Sequence, residues 1–354
     1  MIKRIIRRSA AIPALFLAAA ASAQTAQTVS IGRHPDAVAV NETSHKAYIL
    51  SSIGVSVLDG SAHVLATIQT GVGPEGIGVN SVTNRIYTAN SKDSTSTIID
   101  GATDTVLATV KTGSYPQGIA INTVTNTIYF TNNFGHSITV LDGATNAVTI
   151  VPVGQGPRAV VVNPKTNKAY TVNYGSSDAT QIDLSTNTAT SIPTGKHPWA
   201  MAIDPILNKI YAVNEDSAKI SILDGDTHQV KDVPVGDIPF AVAVNPATHR
   251  VYALSYGDST LAVIDPAAAA VIHTVKLAAQ PSAIAVNART GAIYVAEQKT
   301  GYVVVYSGSS YAVLGKVKAG AIPYAMAADS SAGKVYVANM YSGDATVITG
   351  PAPR

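Results

Sequence analysis

Pro157-Arg158-Ala159-Val160-Val161-Val162-Asn163-Pro164-Lys165-Thr166-Asn167-Lys168-Ala169-Tyr170-Thr171-Val172-Asn173 holds two short apolar runs separated by a polar turn. The runs are Ala159 to Val162 and Lys168 to Val172, rich in β-branched residues and Tyr, and the break between them carries Asn, Pro and Thr. Such segments are strands joined by a tight turn. Downstream, a loop from Asn173 to Asp178 leads into a third strand ending at Asp183, and a fourth runs through Thr188 to Ile192. The proline that opens this unit recurs at Pro35, Pro74, Pro116, Pro157, Pro198, Pro239, Pro281 and Pro323, at intervals of 39, 42, 41, 41, 41, 42 and 42 residues. About forty residues is the length of one four-stranded blade of a β-propeller. The chain is therefore read as an all-β propeller of four-stranded antiparallel blades.

The ends complete the count. The last unit supplies three strands, Ala325 to Ala328, Lys334 to Asn339 and Ala345 to Thr349, and Thr28 to Ile31 resembles the missing outer strand. Pairing the termini in one blade closes the ring with eight blades; seven blades plus a flanking unit is the alternative. Residues 24–354 are read as a single propeller domain. The Asp that ends each third strand, at Asp59, Asp100, Asp142, Asp183, Asp224 and Asp265, is read as a turn former rather than a catalytic series, because a residue present in each blade serves the blade.

Residues 1–23 read as a secretory signal: Lys3, Arg4, Arg7 and Arg8, an apolar stretch from Ala10 to Ala21, and the small-residue site Ala21-Ser22-Ala23. The stretch is short of the about 20 residues of a spanning helix, so no membrane span is expected after its removal. The expected location is periplasmic, secreted or at the cell surface. Four of the 24 Lys and Arg precede residue 24 and none of the 22 Asp and Glu does, so residues 24–354 carry a net charge of −2. That balance provides no overall attraction to nucleic acid or anionic lipid. The absence of cysteine excludes disulfides, thiolate metal ligands and a cysteine nucleophile.

The second strands read Tyr87-Thr88-Ala89-Asn90, Tyr129-Phe130-Thr131-Asn132, Tyr170-Thr171-Val172-Asn173, Tyr211-Ala212-Val213-Asn214 and Tyr336-Val337-Ala338-Asn339. Together with the repeat length they resemble the Y-V-T-N β-propeller repeat family over nearly the whole chain beyond residue 23. The resemblance implies an exported propeller similar to surface-layer and periplasmic members. One of these binds single-stranded DNA, and propellers with related repeats serve as lactonases. Members of the family typically carry seven blades, where the spacing here implies eight.

Ligands of propellers usually sit at the mouth of the central channel, on the face that carries the loops into each innermost strand. The residues flanking the repeated prolines and those in the companion loops are thus the candidates: His34, Asp36, Glu75, Tyr115, Phe134, Arg158, Tyr174, His197, Trp199, Phe240, Tyr256, Tyr324 and Tyr341. They concentrate aromatic rings on one face, while the Thr-Asn and Asp-Gly turns of the opposite face are nearly free of them. Rings supply contact area with a polar handle, the character of a binding surface. His34 and His197 share the context Gly-x-His-Pro but belong to the first and fifth units, across the ring from each other, so independent roles are expected rather than a shared metal.

The leading expectation is a non-enzymatic binding protein whose partner is a protein, a glycan or a small molecule, with no cofactor and no catalytic residue. A second is a lactonase-like hydrolase in which Glu75, Glu215 and Glu297, with Asp36, Asp216 and Asn132, hold Ca²⁺ through oxygen ligands. A third is single-stranded DNA stacked on the aromatic rings, with Arg33, Lys92, Arg158, Lys196 and Lys299 as its basic contacts. No G-x-S-x-G elbow marks a serine nucleophile, and phosphate-binding loops require a strand-to-helix junction foreign to an all-β chain.

Overall fold

The computed structural model describes residues 24–350, so residues 1–23, read above as a secretory signal, lie outside the described residues. Thirty-two strands form eight four-stranded antiparallel sheets. The first strand of each sheet lies against the first strand of the next all the way round, which closes the sheets into an eight-bladed propeller. The eighth blade takes Pro323–Asp329, Lys334–Asn339 and Asp344–Thr349 from the C-terminal end and Thr25–Ser30 from the N-terminal end. Thr25 pairs with Thr349 and Ser30 with Asp344, and the Thr28 and Thr346 hydroxyls bond at 3.0 Å. Pairing the two ends completes the fourth strand of this blade and closes the ring, leaving only short outer edges.

Each sheet buries its two faces against its neighbours. Tyr48 and Leu50 of the first blade pack with Ile86 and Ile99 of the second, and Tyr336 of the eighth packs with Ala47 and Ile49 of the first. The Tyr that begins the repeated motif is buried in all eight blades, and burial raises its phenol, to about 12 in Tyr129 and Tyr336. Innermost strands approach most closely where the chain has Gly or Ala two residues after the proline. A Cβ on Gly118 would lie 2.5 Å from the Arg158 carbonyl oxygen.

The motif Asn is wholly buried in five blades and ties the loop ahead of the proline to the blade. In the third blade the Asn132 amide donates to Ser137 at 3.0 Å, Thr139 donates to the Asn132 carbonyl at 3.0 Å, and the Gly113 N–H donates to Thr139 at 3.0 Å. The second blade links the same positions, with the Asn90 amide donating to both Thr95 and Thr97 and the Gly71 N–H donating to Thr97. The Asp residues that end the third strands accept the next turn's N–H groups, as Asp142 does from Ala144 and Thr145. They act as turn formers, the role expected from their repetition.

On the opposite face, a side-chain bond joins the end of one innermost strand to the next blade's first turn. Asn41 donates to Asn84 at 2.7 Å, Asn80 to Asn126 at 2.8 Å, Asn122 to Asn167 at 3.4 Å and Asn163 to Asn208 at 2.8 Å. Two joints replace the amide pair by Asp and His: Asp204 with His249 at 2.6 Å and Asp329 with His45 at 2.9 Å. The receiving residues have positive φ, between 50° and 58°, which Asn and His tolerate better than branched residues do.

Burial alone would raise the Asp329 carboxyl, but bonds from the Ala332 N–H, the Ser331 hydroxyl and His45 outweigh it and hold the group below the usual carboxylate range. Its stabilising contribution is present above the unfolded value near 3.9 and is lost as pH falls through the lower folded value. We expect Asp329→Ala to lose about 2 kcal/mol at neutral pH, since it strands buried donors. The double substitution His45→Asn with Asp329→Asn should recover most of that loss and flatten the acid limb. Urea unfolding of the three proteins between about pH 3 and 7 measures both effects.

Candidate functional site

The residue before the repeated proline has positive φ in seven of the eight blades, including His34, Tyr115, His197 and the β-branched Ile238 and Ile322. Branched residues rarely occupy this region, and such strain gathers at binding loops. In most blades the carbonyl of this residue accepts the N–H that follows the motif Asn, as in Asn133 to Tyr115 at 2.9 Å and Glu215 to His197 at 3.1 Å. The two loops of each blade are thereby locked side by side. The residue after each proline lies at the start of the innermost strand, just ahead of it in the first blade and second in it in the others, and around the ring these positions hold Asp36, Glu75, Gln117, Arg158, Trp199, Phe240, Ser282 and Tyr324. Two acids, an amide, a base and two aromatics thus follow one another in blade order.

Three groups of candidate residues are in contact. Tyr115 and Phe134 lie with ring centroids 4.3 Å apart, and the Tyr115 hydroxyl donates to Glu75 at 2.7 Å. Glu75 also accepts from Gln117 at 2.7 Å and Ser91 at 2.9 Å. The bond to Glu75, with burial, raises the Tyr115 phenol, which keeps it a donor. In the second group the Arg158 guanidinium sits 3.5 Å from the Trp199 ring centroid and 5.4 Å from that of Tyr174. Tyr174 stacks on His197 at 4.4 Å, and the His197 Nδ1 meets Asp216 at 2.5 Å. Burial lowers the Arg158 pKa, though the guanidinium stays charged at any physiological pH, and among the described residues it forms no ion pair. In the third group Phe240 and Tyr256 meet edge to face at 6.2 Å.

His34, Tyr324 and Tyr341 lie exposed on the rim. Trp199 and Phe240 are half-buried and also pack on the cores between blades, so they serve the scaffold as well as the face. The carboxylates of the calcium reading do not converge. Glu297 occupies the motif Asn position of its blade, is buried, and bonds to Thr300 at 2.9 Å and Lys316 at 3.2 Å. Asn132 is engaged in its own blade, and no three His, Asp or Glu among the described residues are grouped to hold a metal ion.

Glu75, Gln117, Gly118, Arg158 and Trp199 line a cavity of about 250 Å³. A second cavity of about 470 Å³ lies between the sixth and eighth blades, with Tyr256, Lys299 and Lys318 among its walls. Lys318 gave no signal in the sequence, because it ends an exposed outer strand whose composition matches the others.

No family model and no curated protein matches the chain. Solved structures do match. Hydrazine synthase of Kuenenia stuttgartiensis superposes with a TM-score of 0.64 at 16% identity, over 82% of this chain and 100% of that one. The β-propeller domain of Cps50 (Swd1) from Myceliophteria thermophila gives 0.65 at 9%, over 80% and 98%. Dihydro-heme d1 dehydrogenase NirN, in complex with DHE, gives 0.69 at 13%, over 80% of this chain and 66% of that one. At these identities the likeness is one of fold, and it extends over enzymes and a propeller domain alike.

Burial, and then the Glu75 charge, push Asp36 up to about 7. The folded chain therefore binds this proton more tightly than the unfolded chain. Stability from this group is greatest at low pH and declines as pH rises from about 4 to about 7. Asp36→Asn should raise the melting temperature at about pH 8 and leave it nearly unchanged at about pH 4. Thermal unfolding across that range checks the sign.

Proposed function

We propose that this chain is an exported, non-enzymatic binding propeller of the Y-V-T-N repeat type that recognises its ligand at the channel mouth. The observation that carries the reading is Arg158. A guanidinium with five donors lies on the Trp199 ring, partly desolvated and without a carboxylate partner, at the wall of an open cavity. An unpaired, pre-oriented arginine on an aromatic plate is suited to a ligand's acidic or polar group. The tied loops support the same reading, since a rigid mouth loses little entropy when it binds.

The hydrolase reading has less support. Glu75 already accepts from three protein donors, and Glu297 is committed to its own blade. Single-stranded DNA would find rings to stack on but few cations, given the net charge of −2 over residues 24–354.

Trp199 is the chain's sole tryptophan, so its fluorescence reports directly on the face. A panel of glycans, peptides, amino acids, oligonucleotides and lactones with Ca²⁺ should contain a class that raises stability by roughly 2.7 kcal/mol at 100 times its dissociation constant. Arg158→Gln and Trp199→Ala should each weaken that ligand at least about tenfold, near 1.4 kcal/mol. Full affinity in both variants would remove this face from the account.

A further inference from the structure

The cavity beside Arg158 has walls of opposite charge. Glu75 forms one side and Arg158 the other, with Gln117 and Gly118 between them and the Trp199 ring beneath the guanidinium. The two charges do not neutralise each other, for no ion pair joins them. Each is held in place by the protein. Three donors orient the Glu75 carboxylate: Ser91 and Tyr115 on Oε1, and Gln117 on Oε2. A carboxylate accepts about four such bonds, so Oε2 retains a lone pair for a ligand donor. Arg158 is positioned by its ring and by its own carbonyl, which accepts the Thr131 hydroxyl at 3.0 Å.

A second acid lies near enough to Glu75 for their charges to interact. Asp36 holds in the first blade the place that Glu75 holds in the second, and its Oδ1 is buried without a hydrogen-bond partner. Ligand cations are the natural complement of such a pair of acids, because a positive group beside Glu75 offsets the charge that each acid places on the other. At the other end, the rings of Trp199 and Tyr174 leave an apolar wall beside the guanidinium.

Resting on the binding reading above, we propose that the ligand is a small zwitterion, its carboxylate on Arg158 and its ammonium on Glu75 with Asp36 behind. Free α-amino acids, ω-amino acids and dipeptides share this chemistry and differ in how far apart the charges lie. Glu75 and Arg158 are two blades apart, and the innermost strand of the blade between them lies close to both, at Gly76 on one side and Gly118 on the other. A volume of about 250 Å³ admits a ligand of this size.

The experiment is calorimetric titration of the unmodified protein beyond residue 23 with free L-amino acids, 5-aminopentanoate and glycyl dipeptides. Each is compared with its N-acetyl and its carboxamide form. The expected result is binding by one zwitterion class and a loss of at least about tenfold on blocking either end. With Glu75→Gln the zwitterion and its N-acetyl form should bind equally; with Arg158→Gln the zwitterion and its amide should. That pairing of residue with ligand end is something a merely structural role would not produce. If the variants do not fold, the blocked ligands alone decide the matter on the unaltered protein. The proposal is overturned if blocked forms bind as well as the zwitterion, or if no zwitterion binds. Should a glycan, a longer peptide or an oligonucleotide bind instead, and do so through Trp199, the zwitterion falls while the binding reading stands. Should no class bind through this face, both fall.

Discussion

Each four-stranded sheet in this chain is apolar on both faces and can bury both only between two others, so the ring must close. The antiparallel pairing of Thr25–Ser30 with Asp344–Thr349 meets that constraint. It completes the eighth sheet with its outer strand, and Tyr336 of that blade packs on Ala47 and Ile49 of the first. A single blade has no core of its own; its stability is shared with its neighbours, as in other repeat architectures. Without closure the first and eighth blades would each expose a face, and the residues at the channel mouth would lose their common centre.

The site is built from departures within the repeat. The bonds that link Asn90 or Asn132 to a Thr, and that Thr to the Gly ahead of the proline, recur because each blade needs its loop tied down. Once the loops are fixed, the residue after the proline is free to differ. The ring therefore carries Asp36 and Glu75 in adjoining blades and Arg158 two blades on, over a backbone that hardly changes. Rigidity from repetition and chemistry from variation coexist because they occupy different positions of the same unit. Glu297 shows the boundary between them: it stands in the Asn position, is buried there, and works for its blade through Lys316.

Much of the architecture was legible in residue spacing. The proline period, the strand lengths and the shared last blade all emerge in the structure as eight blades of four strands. These features are local or periodic, and the hydrophobic pattern of a strand depends on its neighbours along the chain. Asp142 and its equivalents were readable as turn formers for the same reason. The candidate face was legible as a set of residues, but its internal grouping was not. Nothing in the sequence joins Tyr115 to Glu75 or Arg158 to Trp199, which lie 40 and 41 residues apart. The opposite face held a comparable surprise, since the exchange of an amide pair for Asp329 with His45 spans 284 residues.

By itself, then, the sequence determined the blade and its period and pointed to eight blades closed by the paired termini, because repetition at a fixed period gives each strand the same place in its unit; the choice of eight over seven blades with a flanking unit came from the structure. The sequence also determined which positions vary at the channel mouth. Only the tertiary structure decided which charges stand free there. Glu75 is held by its neighbours' donors, Arg158 is held by a ring and left without a counter-ion, and Glu297 is drawn into its own sheet. The physical reason is that strand formation follows the order of residues along the chain, whereas the state of a charge depends on the groups that folding brings around it.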